Sequence, residues 1–197
     1  MSADFVYLAS GSPRRRELLS QIGVPFQLLQ VTVDETVVPG EAPEAYVARL
    51  ADLKAAAGWD VRPAQHTAPV LAADTAVVLD GKTLVKPTDA RDGERLLCEL
   101  SGRTHEVLTA IALATAEGMQ SRLSRSEVTF RAISRSEARE YWETGEPHDK
   151  AGGYAIQGRA AVFIADLRGS YSGVMGLPLY ETAELLGLAG VPRWRCA

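Results

Sequence analysis

The chain has 197 residues, 46% hydrophobic and 23% charged, with a formal net charge of −4 at pH 7. That length holds one sizeable core or two small lobes, and the acidic balance excludes a general nucleic-acid binder. Two widely separated cysteines, Cys98 and Cys196, and no apolar run of the roughly 18–20 residues that span a bilayer point to a cytoplasmic protein without disulfides, secretion signal or membrane anchor.

In chain order, "FVYLAS" predicts a short buried strand that feeds "GSPRRRELL". Ser12 has N-cap chemistry there and Pro13 suits the first helical position, while Leu18, Leu19 and Ile22 form an apolar face and Gly23 is a stop signal. Arg14, Arg15 and Arg16 therefore stand at the positive end of a helix dipole, where each exposed cation costs roughly 0.3–1 kcal/mol. "FQLLQVTV" predicts a second strand and delivers Asp34 and Glu35. A helix is expected from Pro43 to Gly58, with Tyr46, Leu50, Leu53 and Ala57 as its stripe. Lys54 falls between Leu50 and Val47 on the apolar side of that helix, and taken alone it reads as a lysine whose stem packs while its ammonium reaches water.

After a loop-like stretch, "VLAADTAVVLDGKTLVKP" predicts two strands around an Asp80-Gly81 turn. Asp89 caps a helix ending at Gly102. "THEVLTAIALATA" and "SRLSRSEVTFRAI" are expected to pair through "EGMQ", and Ser134 with Glu137 forms a capping box. A glycine-rich loop, "KAGGYAIQG", precedes a predicted strand, "AAVFIAD", and Pro178 opens a last helix. Early alternation of strands and helices followed by antiparallel pairs predicts an α/β or α+β domain with a mixed sheet.

The arginine turn has two readings: a solvated basic helix start partly relieved by Glu17, three residues after Arg14, or an anion site, which the preceding strand, the glycine-containing turn and the capped helix favour. It is not a nucleotide loop of the GxxxxGK[ST] kind, which occurs nowhere in the chain. Asp74 comes at the end of a buried run, and Lys86 is held in extended backbone by the following proline. Asp34, Glu35 and Asp74 offer hard oxygen ligands, suited to Mg²⁺ or Mn²⁺ rather than zinc. His66, His105 and His148 adjoin no nucleophile signature and are expected as ordinary surface or loop histidines. The combination is phosphate chemistry.

The segments "LASGSPRRRELL", "VDE", "ARLADLKAAAG", "AADTAVVLDGKTLVKP", "LSGRTHEVLTAIAL", "DKAGGYAIQG" and "GSYSGVMGLPLYET" occur in one order from Tyr7 to about Leu186. In that order the chain resembles the Maf family of nucleotide pyrophosphatases. The resemblance implies a single domain over 1–197 with an α/β fold like that of inosine-triphosphate pyrophosphatase, a mixed sheet in two lobes around a deep cleft. It implies cleavage of the α–β phosphoanhydride of a nucleoside triphosphate with a divalent metal cofactor. Ser12, Arg14 and Arg15 match the family's phosphate-binding start, Glu35 and Asp74 its metal positions, and Asp74, Lys54 and Lys86 its catalytic groups.

Arg15, Thr75 and Gln157 match the branch of the family that acts on dTTP and UTP. The branch acting on 7-methyl-GTP carries a bulky aromatic, a Gln and a Glu at those places. A Gln amide offers one donor and one acceptor, which match the O4 and N3–H edge of uracil or thymine. Gly173 stands where many members carry a larger residue, and Val85 where Gly or Glu is common. The expected partner is a nucleoside triphosphate, with no membrane or nucleic acid, and a homodimer is compatible with this reading. Two rivals are a nucleotide-sensing inhibitor of septum formation without essential catalysis, and a pyrophosphatase for purine or 7-methylguanosine nucleotides.

Overall fold

The computed structural model describes residues 3–194; Cys196 lies outside them, and Cys98 is a free thiol. From the N-terminus, β1 (Val6–Leu8) leads into α1 (Pro13–Gln21), β2 (Phe26–Leu28) and α2 (Pro43–Val61). β3 (Val70–Leu79) and β4 (Lys82–Leu84) form a hairpin, followed by α3 (Ala90–Leu100). The long strands β5 (Thr104–Thr115) and β6 (Gly118–Phe130) precede α4 (Arg135–Glu143), β7 (Ile164–Arg168), α5 (Tyr171–Met175) and α6 (Leu179–Leu188). The strands make one sheet in the order β2-β1-β3-β5-β6-β7, with β4 also on β3. β1 pairs in parallel with β2 and β3, and every other pairing is antiparallel, so the sheet is mixed and the fold is α/β.

The register leaves an opening in this sheet. On one edge β3 pairs with β5 from Val70 to Val78. On its other edge β1 reaches only Val70 and Leu71, and β4 takes up pairing at Val77. Residues 72–76 of β3 thus have no strand neighbour on that side. The hairpin that sets the far margin turns at Asp80 and Gly81, whose φ values of 51° and 74° are the two positive values a type I′ turn demands.

α2 packs across β3 and β5. Its buried residues are Val47, Leu50, Ala51, Ala55 and Gly58. The face is rotated from the predicted stripe, for Leu53 is 41% exposed. Small side chains let the helix lie close to the sheet. Gly58 is the extreme case: a Cβ there would stand 2.7 Å from Val70 Cγ1 and 3.0 Å from Ala9 Cβ. It is a contact glycine rather than a stop, and the helix runs on to Val61. A first core gathers β1, α1, α2, β3, β5 and α6, and a second joins β4, α3, α4 and the 154–163 segment to the far ends of β3 and β5.

Three further expectations are corrected. "AAVFIAD" is not one strand: Arg159–Phe163 is a 3-10 turn that buries Ala160 and Phe163 at a spacing of three and leaves Val162 exposed, and the strand begins at Ile164. The β5–β6 hairpin turns at Ala116 and Glu117, where the Thr115 hydroxyl accepts from Glu117 N and donates to Gly118 O. His105 is buried rather than superficial and shares a 2.8 Å hydrogen bond with the Tyr154 hydroxyl. Among the described residues no helix is long and apolar enough to cross a membrane.

Candidate active site

A cleft of about 970 Å³ opens at the gap in the sheet, and Ser12, Arg14, Arg15, Glu35, Lys54, Asp74, Thr75, Lys86 and Gln157 all line it. β1 ends at one side of the gap and hands the chain to the arginine turn. β4 closes the other side and hands it to Lys86. Ligands of open α/β sheets lie beyond strand ends where neighbouring strands part, and this cleft has that position.

Asp74, 8% exposed, projects from the open stretch of β3. Lys54 Nζ donates to Asp74 Oδ1 at 2.7 Å and lies 2.6 Å from Glu35 Oε1. The lysine therefore does not snorkel: it points from the buried face of α2 between two carboxylates. Burial pushes the Asp74 carboxyl above the ordinary aspartate value, against the pull of Lys54 and Arg15 and with a small push from Glu35. Glu35 is half-exposed, and its hydrogen bond with Lys54 holds it below the usual glutamate value. Two carboxylates on one ammonium are thus driven apart in acidity, the buried one becoming the stronger base.

Glu35 is carried by a loop stapled to α2. The Tyr46 hydroxyl donates to Glu35 O at 3.1 Å, Arg49 Nη2 donates to Thr36 O at 3.1 Å, and the Arg49 fork grips Glu41. Asp34 accepts from Thr36 N instead of entering the cleft.

The arginine turn is explained by what faces it. Arg14 Nε donates to Met175 O at 3.3 Å and Arg15 Nε to Gly176 O at 2.7 Å, so both cations meet the carbonyl end of α5. Arg15 also donates from Nη1 to Ser10 Oγ at 3.0 Å and from Nη2 to Thr75 Oγ1 at 3.3 Å. Thr75 Oγ1 in turn lies 2.9 Å from Thr109 Oγ1, which donates to Gly173 O. Desolvation lowers the Arg15 pKa to about 10, with Arg14 adding to the effect and Asp74 and Glu35 opposing it, so the group stays a cation at neutral pH. Ser12 occupies the N-cap position in extended backbone, but its side chain makes no cap bond. Lys86 and Gln157 are exposed to the cleft, and among the described residues neither side chain is tied down.

The sequence profile of the Maf-like protein family matches residues 5–189. The chain belongs to the Maf family. A protein of Saccharophagus degradans named dTTP/UTP pyrophosphatase is 55% identical over 98% of this chain and 92% of its own length. One of Aromatoleum aromaticum with the same name is also 55% identical, over 95% of this chain and 96% of its own length. The solved structure of the Staphylococcus aureus Ham1 protein is a distant likeness, with a TM-score of 0.41 and 17% identity over 66% of this chain and 72% of that one.

For this Maf chain, sequence reasoning missed Ser10, Thr109 and the carbonyls of Met175 and Gly176. These groups organise the arginines, yet a lone serine, a strand threonine and main-chain oxygens carry no pattern to find. Asp149 and Lys150, at the start of "DKAGGYAIQG", also line the cleft and contact one another, and nothing in their spacing marks them.

Proposed function

We propose that the chain is a nucleoside triphosphate pyrophosphatase that cleaves the α–β phosphoanhydride of dTTP and UTP, giving the monophosphate and pyrophosphate. The observation that carries the reading is the Lys54 ammonium held between Asp74 and Glu35 inside the cleft that the arginine turn also lines. Relatives at 51–55% identity over nearly the whole chain bear the name of that activity. The chain is read as one such domain, working in the cytoplasm where its substrates are.

Arg14, Lys86 and the remaining N–H groups of Arg15 take the phosphate oxygens and neutralise charge that grows as the bond breaks. Asp74, the more basic carboxylate, orients the attacking water and accepts its proton. Lys54 holds Asp74 in place and adds positive charge beside the phosphates. Gln157 faces the base edge and Thr75 supports Arg15.

The residues present fit a Mg²⁺ or Mn²⁺ cofactor. Among the described residues no group of three or more His, Cys, Asp or Glu is arranged around one point, and these ions are commonly held by one or two carboxylates with substrate phosphates completing the shell. Asp74 and Glu35, already gathered about one cationic nitrogen, are the pair that would hold the ion. When bound, such a cofactor supplies charge neutralisation on phosphate oxygens and a lower pKa for water.

The test incubates the purified chain with a nucleotide panel under Mg²⁺ and under Mn²⁺, with pyrophosphate and orthophosphate measured separately. Pyrophosphate release led by UTP and dTTP is the expected result. No turnover, or orthophosphate alone, overturns the reading.

A further inference from the structure

Gln157 lies in a loop, "YAIQG", whose main-chain amides are held by a residue outside the cleft. Glu146 Oε2 accepts from Arg159 N at 3.0 Å, and Glu146 Oε1 accepts from Ala160 N at 3.3 Å and from the Tyr141 hydroxyl at 2.7 Å. That hydroxyl accepts from Ala155 N at 3.2 Å. Main-chain amides on both sides of Gln157 are therefore tied to one carboxylate–phenol pair. The carboxylate sits directly beneath the loop: a Cβ on Gly158 would stand 2.2 Å from Glu146 Oε2.

The pair has a fixed base. Tyr141 is buried on α4, the Thr144 hydroxyl donates to Tyr141 O, and Glu146 N donates to Thr144 Oγ1. Burial pushes the Glu146 carboxyl up, but the Arg159 amide, the Tyr141 hydroxyl and the Ala160 amide outweigh it and hold the group below the usual glutamate value. At neutral pH it is an ionised acceptor, the strong form of such a bond. Neither Glu146 nor Tyr141 lines the cleft.

We infer that Glu146, braced by Tyr141, is a positioning residue that fixes the loop of Gln157 so that its amide reads the nucleobase. The inference rests on the pyrimidine reading given above. A side-chain amide discriminates between base edges only if its backbone is fixed to a fraction of an ångström; Tyr154 and Ile156 anchor the near side of the loop in the second core, and the Glu146–Tyr141 pair ties the amides on both sides of the Gln157 side chain.

The experiment measures kcat/KM for UTP and GTP in wild type, Glu146→Gln and Tyr141→Phe, with thermal melts and hydrogen exchange of the 155–160 amides on the nucleotide-free proteins. Glu146→Gln keeps one acceptor oxygen and turns an N–H toward the donors on the other, so exchange at Arg159 or at Ala160 should rise. The UTP:GTP ratio should fall about tenfold, chiefly through KM for UTP. Tyr141→Phe should move exchange at Ala155 and the ratio in the same direction by less, and it carries the test if Glu146→Gln does not fold. Equal fractional losses for both nucleotides, or unchanged exchange, overturn the inference. A wild-type protein that hydrolyses UTP and GTP equally overturns the pyrimidine reading itself, and the inference with it; that result is read before any variant is made.

Discussion

Arg15 Nη2 lies 3.3 Å from Thr75 Oγ1, joining the first turn of α1 to the open stretch of β3. With its further bonds to Ser10 Oγ and Gly176 O, Arg15 is committed to the protein, whereas Arg14 has one long bond to Met175 O. The two arginines should therefore fail differently. Arg14→Ala is expected to lose roughly 30- to 1,000-fold in kcat/KM, with the melting temperature held, because the cation that leaves the positive end of α1 gives up only one long bond to the carbonyl end of α5. Arg15→Ala should lose activity and also about 1–3 kcal/mol of stability, because buried acceptors are left without a donor. Melts of the two variants side by side check the split; equal melts would undo it.

Asp74→Asn keeps the shape of the side chain and removes its basicity. A fall in kcat of roughly 10²–10⁴ is expected, with nucleotide binding retained. A metal titration of kcat then separates proton transfer from ligation, since a lost ligand is partly offset by raising Mg²⁺ and a lost base is not. Near-wild-type turnover by the folded variant would remove Asp74 from the chemistry.

Gln157→Glu tests the proposed contact between the amide and the base by putting a charge in its place. UTP and dTTP should weaken relative to GTP by roughly 1–3 kcal/mol, the cost of a lost buried hydrogen bond. Ratios of kcat/KM across the nucleotides report it, and an identical loss for every base would count against a reading role.

His105 gives the fold a dependence on pH. Burial lowers its pKa from 6.5 to about 4. Between those values the unfolded chain binds more protons than the folded one, so stability is lost as pH falls through the window, by up to about 3 kcal/mol. His105→Gln, which can keep a bond to Tyr154 without titrating, should lose less between pH 7 and pH 4 than wild type does. Parallel urea titrations across that range measure the difference; matching slopes would assign the acid sensitivity elsewhere.

The order of strands and helices was legible wherever a local device enforced it: the Asp80-Gly81 turn, the Asp89 cap and the Ser134–Glu137 box all form as expected. Lys54 was legible only through the family pattern. Its place on an apolar face says that it is buried but not that Asp74 and Glu35 wait there, because both partners come from distant segments. Arg159–Phe163 was misread because a buried apolar run has no period that separates a strand from a tight turn. Glu146 was invisible for a related reason: its acceptor role is directed at main-chain amides, and amides have no letter in a sequence.

The paired length of β3 and β5 has a mechanical consequence. Nine successive residue pairs, from Val70 with Ala114 to Val78 with Glu106, run unbroken past the cleft and enter both cores. Swinging one core away from the other would bend that ladder, which belongs to the part of a protein that opens last. Entry of a nucleotide is therefore expected to need little swing of one core against the other, with turnover paced by bond breaking and product escape rather than by movement of the walls.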